Sequence, residues 1–368
     1  MFGKAERSSA SLVATITSAM LATLVLSSAL ARDVTATSIK VFGQFKASSD
    51  KARGISGMAC LGNSAGASRD CFVINDEERF VEVATLTSDR LAATGKTIHL
   101  VKKGETGGGI LGVVRDPLCK DKNGVVTEDK FDEFDGEGIA IEGDTAYVVG
   151  SHSCSGGGKY KPSSFLLARF KVGNPAKDSQ ATVERSWRLA DALLATEIGS
   201  AYGMPKGEGT NVEGVAVLSG RLYVGLRTPV RRDLSFIVSA PISDLFAPGF
   251  EGLTQGVVET IPVKLGANTG IRDLAALDDG RLLILSGPTI EQDEVDYKLW
   301  LLEKPAADAA KSFLTTITTS IKGKDGKRAK AETIAVLDQT ADQLKLLVLY
   351  DNIDEGEPTQ YEIPLPPR

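Results

Sequence analysis

Acidic residues recur where short apolar strands begin. Glu137 stands in Asp-Gly-Glu-Gly-Ile-Ala (135–140), Glu213 in Asn-Val-Glu-Gly-Val-Ala (211–216), Asp273 in Gly-Ile-Arg-Asp-Leu-Ala (270–275) and Glu332 in Ala-Glu-Thr-Ile-Ala-Val (331–336). A second polar set follows the next apolar strand in each case: Asp76, Ser151-His152, Arg227, Ser286 and Asp351-Asn352. Carboxylates gathered at one place repel one another, and that arrangement calls for a cation or for arginine partners. Glu137, Glu213, Asp273 and Glu332 are therefore the expected metal ligands, with Ca2+ the expected ion. Arg227 and Arg272 suit an anionic group, with Asp273, Asp351 and Asn352 completing a ligand-binding set. His152, one of two histidines, is the expected proton carrier beside Glu137 and Glu213. The competing reading is that the acids bond loop amides between repeats and that Arg272 pairs with Asp273.

These residues are positioned by a repeat. Five apolar hairpins occur near 55–76, 136–150, 212–225, 271–285 and 331–349. Aligned on the small or acidic residue, the equivalent positions are Gly57, Glu137, Glu213, Asp273 and Glu332. Two further strands are expected after each of the first four hairpins, at 79–87 and 97–101, 165–172 and 181–189, 235–242 and 257–263, and 298–303 and 313–321. The fifth hairpin is followed by one strand near 361–363, and its missing partner is supplied by 38–42. The inner strands are apolar at successive positions, as in strands covered on both faces. Units of this kind bury their faces only by stacking, so the expected fold is all-β: a single β-propeller of five four-stranded blades closed by the N-terminal strand. A helical pattern near 187–203 reads as an insertion. In such a topology the starts of first strands and the ends of second strands share one face, the top, which also carries the long connections where binding residues concentrate.

The chain has 368 residues, 42% hydrophobic and 24% charged, with a net charge of −6. This is globular composition, and its sign argues against a nucleic-acid partner. Lys4 and Arg7, an apolar stretch from Leu12 to Leu30 and the end Ala29-Leu30-Ala31 describe a signal peptide over 1–31. The expected mature domain is 32–368, without a membrane span, in the periplasm or secreted. Cys60, Cys71, Cys119 and Cys154 fit an oxidising compartment. Cys60 and Cys71 fall at the bottom of blade one, Cys119 and Cys154 at the top, so the bridges expected are Cys60–Cys71 and Cys119–Cys154.

Other motifs carry less. Residues 62–66 spell G-x-S-x-G but lie in a turn rather than a strand-to-helix elbow. The glycine-rich stretch 104–109 lacks the ending of a phosphate loop. Residues 121–124 miss the first calcium ligand, where Cys119 stands. The run 128–137 is acidic and reads first as a solvated loop. His99 falls in a fourth strand.

The segments 135–140 with 150–153, 211–216 with 225–227, and 270–275 resemble a bacterial family known only as a domain of unknown function (three-six-one-six). That family is similar to the esterase-like phytase and lactonase-type propellers, whose central mouth carries the ligand or metal site. The resemblance implies a site of Glu137, His152, Glu213, Arg227, Arg272, Asp273 and Glu332. The first repeat departs from it, with Ser56-Gly57 in place of an acid. Two readings follow: a metal-dependent hydrolase of a phosphoester or ester with a small anionic ligand, or a non-catalytic propeller binding an envelope component.

Overall fold

The computed structural model describes residues 1, 34–47, 51–62, 68–115, 119, 131–173, 182–290, 292–318, 321–323 and 326–368. Apart from Met1, the proposed signal peptide lies outside the described residues, as do 63–66, 121–124 and 128–130 of the motifs above. Every strand falls within the compact unit Asp33–Arg368.

The chain opens with β1 (Thr35–Ser38) and β2 (Lys40–Phe42). Blade one then runs through β3 (Ile55–Cys60), β4 (Ser68–Asn75), β5 (Phe80–Thr87) and β6 (Arg90–His99). Blade two is β7 (Gly136–Glu142), β8 (Thr145–Gly150), β9 (Leu167–Lys171) and β10 (Glu184–Ser186). The helix α1 (Arg188–Leu194) leads to blade three: β11 (Asn211–Leu218), β12 (Arg221–Thr228), β13 (Leu234–Pro241) and β14 (Glu259–Lys264). Blade four is β15 (Thr269–Ala276), β16 (Leu282–Pro288), β17 (Tyr297–Leu302) and β18 (Lys311–Ile317). Blade five is β19 (Lys330–Gln339), β20 (Gln343–Asp351) and β21 (Thr359–Pro364), completed by β1. The protein is a five-bladed β-propeller, nearly all β.

Closure differs from the expected 38–42 strand by a few residues, and the difference is informative. β1 pairs antiparallel with β21, Thr35 opposite Glu362. Its four side chains are all exposed, so it contributes backbone bonds to an otherwise open edge. Ile39 is buried, and β2 then runs parallel to β6 as a fifth strand on blade one. Two residues beyond the closing strand, the chain is thus already stitching the first blade to the last.

The core lies between blades. β16 is buried at all seven positions, as a strand covered on both faces must be. Phe72 of blade one packs on Phe170 of blade two with centroids 5.9 Å apart. The turn after β11 has Ser219 and Gly220 both at positive φ (53° and 73°), a two-residue geometry that matches the twist of the flanking strands. At the start of α1, Arg188 is buried and spends its donors on the carbonyls of Ala247, Gly249 and Glu251. Both disulfides form as the topology predicts, Cys60–Cys71 with Cα atoms 3.9 Å apart and Cys119–Cys154 with 5.5 Å. Among the described residues no helix is long and apolar enough to cross a membrane.

Candidate functional site

Each first strand carries a bulge at the same place in every blade, and β19 has a second between Val336 and Asp338. Pairing steps from Ile55 to Gly57, Gly136 to Gly138, Val212 to Gly214, Ile271 to Asp273 and Ala331 to Thr333. The residues skipped are Ser56, Glu137, Glu213, Arg272 and Glu332. A bulge takes its residue out of the ladder and re-aims its side chain; here it makes a ring of five equivalent positions around the axis. In three blades the next residue is glycine because the neighbouring blade is in contact. A Cβ on Gly57 would lie 3.0 Å from the Gly138 Cα, and one on Gly214 would lie 2.7 Å from the Asp273 Cα.

This register corrects the sequence alignment. The acid of blade four, Asp273, is one residue past the bulge, and Arg272 holds the ring position. Asp273 instead turns between blades and accepts the backbone N–H groups of Leu274 (2.8 Å) and Ile334 (2.7 Å). Burial pushes its carboxyl well up, against the pull of those amides. It is neither a metal ligand at the mouth nor a partner for a bound anion.

Arg272 is 1% exposed and sits between two ring carboxylates. Its Nη1 lies 3.3 Å from Glu213 Oε2, and its Nη2 pairs with Glu332. Glu213 Oε1 also accepts from Arg227 Nη1 and Asn211 Nδ2, each at 2.9 Å. Arg227 comes within reach through an irregularity on the partner strand, where pairing passes from Thr228 to Leu226. Its Nε is held by Thr289 O at 2.8 Å. Arg272, Arg227 and the Asn211 amide hold Glu213 ionised below the usual carboxylate range, although burial opposes them.

Glu137 is in the opposite condition. It is half-buried, and no hydrogen bond or ion pair of its carboxyl is found among the described residues. Burial, then the charges of Glu213, Asp135 and Asp76, push its proton affinity well up, with Arg272 the opposing influence. Asp76 behaves alike: burial first, then Asp351 and Asp135, raise it well above its ordinary value. Its Oδ1 is sealed from solvent and has no hydrogen-bond partner. Asp135 is raised by burial and bonds the Ser151 hydroxyl.

A cavity of about 470 Å³ opens above the ring on the top face. Its walls carry the carboxyl groups of Asp76, Glu133, Asp135, Glu137, Glu213, Glu332 and Asp351, and the cationic groups of Lys161, Lys206, Arg227 and Lys330. Lys161 pairs with Glu133, and Lys330 lies 3.1 Å from Asp351. Ser153, Ser155, Thr210 and Asn211 add neutral donors and acceptors. A second cavity of about 350 Å³ lies at the opposite end, lined mainly by apolar ends of the first strands.

Of the expected site, Glu137, Glu213, Arg227, Glu332 and Asp351 do meet at the cavity, and Arg272 supports it from behind. Asn352 is not among the cavity-lining residues; its backbone, at φ 66°, donates to Asp351 Oδ1 at 2.6 Å. His152 also departs from its expected place. The backbone there is left-handed (φ 50°), which tucks the ring beneath the loop, fully buried and edge-on to Phe165 at 5.8 Å. Its Nδ1–H donates to Gly150 O at 2.9 Å. Burial lowers its pKa to about 4, so the ring is neutral and does not line the cavity. The calcium set does not fit either. Glu213, Glu332 and Asp273 give their oxygens to arginines and amides, and among the described residues no three His, Cys, Asp or Glu groups converge as metal ligands. Asp135, Lys161 and Lys330 escaped sequence reading because they flank the repeat rather than recur in it.

Residues 184–362 match the model of a family described as "Protein of unknown function (DUF3616)", in agreement with the resemblance drawn from the motifs. The match runs from β10 into β21. No curated protein matches the chain. Among solved structures it is similar to the Bacteroides ovatus xyloglucan-locus protein GH43B, with 10% identity and a TM-score of 0.43 over 86% of this chain and 53% of that one. This chain thus spans about half the length of that protein. It is also similar to an α-L-arabinofuranosidase from Podospora anserina, at 11% identity and TM-score 0.40, covering 90% of this chain and 98% of that one. The GH62 α-L-arabinofuranosidase catalytic domain of Coprinopsis cinerea gives 10%, 0.42, 89% and 96%.

Proposed function

We propose that the top cavity hydrolyses a C–O bond, ester or glycosidic, in a small hydroxyl-bearing substrate. The observation that carries this reading is the opposed condition of two neighbouring ring carboxyls. Glu137 is pushed up by burial and then by the charge of Glu213, while Glu213 is held down by Arg272, Arg227 and Asn211 against the effect of burial. Environments that separate two acids in this way assign one as proton donor and the other as base. In the reaction, Glu137 gives its proton to the leaving oxygen while water attacks the carbon. Glu213 takes the proton released by that water; the C–O bond breaks, a C–OH bond forms, and exchange with solvent restores both carboxyls. The step uses no metal and does not involve His152. A phosphoester is disfavoured because both arginines are already engaged by ring carboxylates. The two disulfides and the basic, apolar start of the sequence support work outside the cytoplasm.

One observation favours a binding-only propeller instead: Asn211, Arg227 and Arg272 occupy both oxygens of Glu213, which hinders it as a base. Turnover separates the two readings. A panel of umbelliferyl esters and glycosides is expected to yield a substrate whose turnover falls about 10²- to 10⁴-fold in Glu137→Gln. Dinitrophenyl versions, whose leaving group needs no proton, should be largely spared. Saturable binding without turnover across the panel would replace the hydrolase reading with the binding one.

A further inference from the structure

We infer that the substrate carries a carboxylate, seated in a recess over blade four where Arg227 and Tyr297 take its two oxygens. The inference rests on the hydrolase reading only in sharing its cavity; Glu137 remains the proton donor.

Three observations carry it. The first is a recess of about 30 Å³ that shares Arg227, Ile290 and Lys330 with the wall of the main cavity. A space of that size takes about one or two water-sized groups, so it admits a carboxylate and excludes a sugar ring. Its wall holds five cationic side chains, Arg227, Arg272, Lys327, Arg328 and Lys330, and one carboxyl, Asp293. Glu213, Glu332 and Asp351, which pair with three of those cations, line the main cavity instead. The charge balance therefore reverses between the two spaces, from acidic around Glu137 to basic over blade four.

The second observation is what the donors in that wall still have to give. Arg272 offers Nη1 to Glu213 and Nη2 to Glu332, Arg328 bonds Val295 O at 2.6 Å, and Lys330 meets Asp351. Arg227 is different. Its Nε goes to Thr289 O and its Nη1 to Glu213, while no hydrogen bond or ion pair of Nη2 is found among the described residues. That nitrogen is not sealed from solvent, and the side chain is 17% exposed. A guanidinium is a rigid planar fork, so the bonds of Nε and Nη1 fix the direction of Nη2 as well.

The third observation is Tyr297. It is 3% exposed and lines the recess, yet no hydrogen bond of its hydroxyl is found among the described residues, and that oxygen too is not sealed from solvent. A buried phenol ordinarily finds a partner. The ring is built into place: it fills the space left by Gly287, where a Cβ would lie 2.5 Å from two of its carbons, and the Arg328 guanidinium lies 5.1 Å from its centroid. Arg272, Arg328, Lys330 and Arg227 all favour the ionised phenol, against the larger effect of burial, so their positive field converges on this group. One guanidinium arm and one phenol O–H match the two oxygens of a carboxylate. A phosphate brings further oxygens that the engaged cations do not answer.

The test is calorimetry on the whole chain at low salt with glucuronate, glucose, glucosamine and inorganic phosphate as separate titrants. Glucuronate is expected to bind at least about tenfold more tightly than glucose. Tyr297→Phe keeps the ring and removes only an unpartnered hydroxyl. It should leave the melting temperature unchanged, lower glucuronate affinity about tenfold and spare glucose. Arg227→Met should abolish the preference altogether; because Arg227 also holds Glu213, its loss is read against Tyr297→Phe, which touches no ring carboxylate. Equal binding of glucose, tighter binding of glucosamine or phosphate, no glucuronate binding, or a Tyr297→Phe variant that binds glucuronate as wild type does would each overturn the inference. Among umbelliferyl glycosides, turnover of glucosides with no preference for glucuronides would sink this inference and leave the hydrolase reading standing. Glucuronate binding without turnover across the panel would do the reverse.

Discussion

Glu137 shows how a single side chain is poised at a cost to the fold. Its carboxyl keeps a proton, when folded, at pH values where the unfolded chain has already lost it. Stability therefore falls as pH rises from the ordinary carboxylate value through the raised one. Glu137→Gln is expected to unfold at a higher temperature than wild type near pH 8, with the gap closing at roughly pH 4 and below. Thermal scans at both pH values check this. His152 has the opposite sign. Its folded pKa of about 4 lies below the unfolded value of 6.5, so stability is lost as pH falls between them. The full loss is about 3 kcal/mol. His152→Asn accepts the left-handed backbone without a titrating ring, and denaturant titrations from pH 7 to 4 should show its slope flattened relative to wild type. At this scale the sequence made the residue types legible but not their aim. Glu137 and Glu213 were found because they recur. Asp273 was misplaced by one position because a bulge adds a residue without leaving a mark in apolar periodicity. His152 was misplaced because a left-handed φ at a non-glycine residue is set by packing.

The strands themselves were legible, since runs such as 282–285 and 344–349 have no polar interruption beyond Lys345. Expected and observed inner strands agree within a few residues, whereas outer strands shift more: β6 starts at Arg90 and β10 spans only Glu184–Ser186. Outer strands face solvent on one side, so their pattern is weaker. The inner strands also interlock. Gly214 leaves no space for a side chain, its would-be Cβ lying 2.7 Å from the Asp273 backbone. The obstacle is backbone rather than a flexible side chain and yields little, so Gly214→Ala is expected to lose about 1–3 kcal/mol. Chemical denaturation measures it. The same variant should reduce activity beyond its effect on folding, because the shifted strand carries Glu213 on its bulge. A glycine with free space around it, such as Gly143, should accept alanine with much less loss of activity.

At the level of the whole molecule, the first and last strands are tied together, and so are two distant loops. The Cys119–Cys154 bridge encloses a loop of 35 residues that includes the approach to blade two and the segment after β8. Removing it by Cys119→Ser with Cys154→Ser should lower stability by up to about 4 kcal/mol on the chain-entropy estimate. Cys154 lines the top cavity, so the double variant should also weaken ligand binding measured below its melting range. Five blades and the closing role of the amino-terminal strand were legible because five hairpins left one strand short. The parallel addition of β2 to blade one was not, since three residues with mixed exposure carry no readable pattern.

The bulge residues have one property that ordinary strand residues lack: they take no part in the pairing of first and second strands. Ser56, Glu137, Glu213, Arg272 and Glu332 thus occupy five equivalent slots on a frame held by other residues. A change at Ser56 or Glu137 rewrites the polarity of the mouth while strand pairing is kept, whereas Glu213, Arg272 and Glu332 form ion pairs across three blades and must change together. The unfilled option is in blade one, where Ser56 is short and, among the described residues, its hydroxyl bonds only the nearby Gly54 carbonyl. For protein engineering, the propeller is therefore a five-letter code in which chemistry is spelled at one position per repeat, and new specificities are to be sought by recombining those letters while the rest of each blade is left untouched.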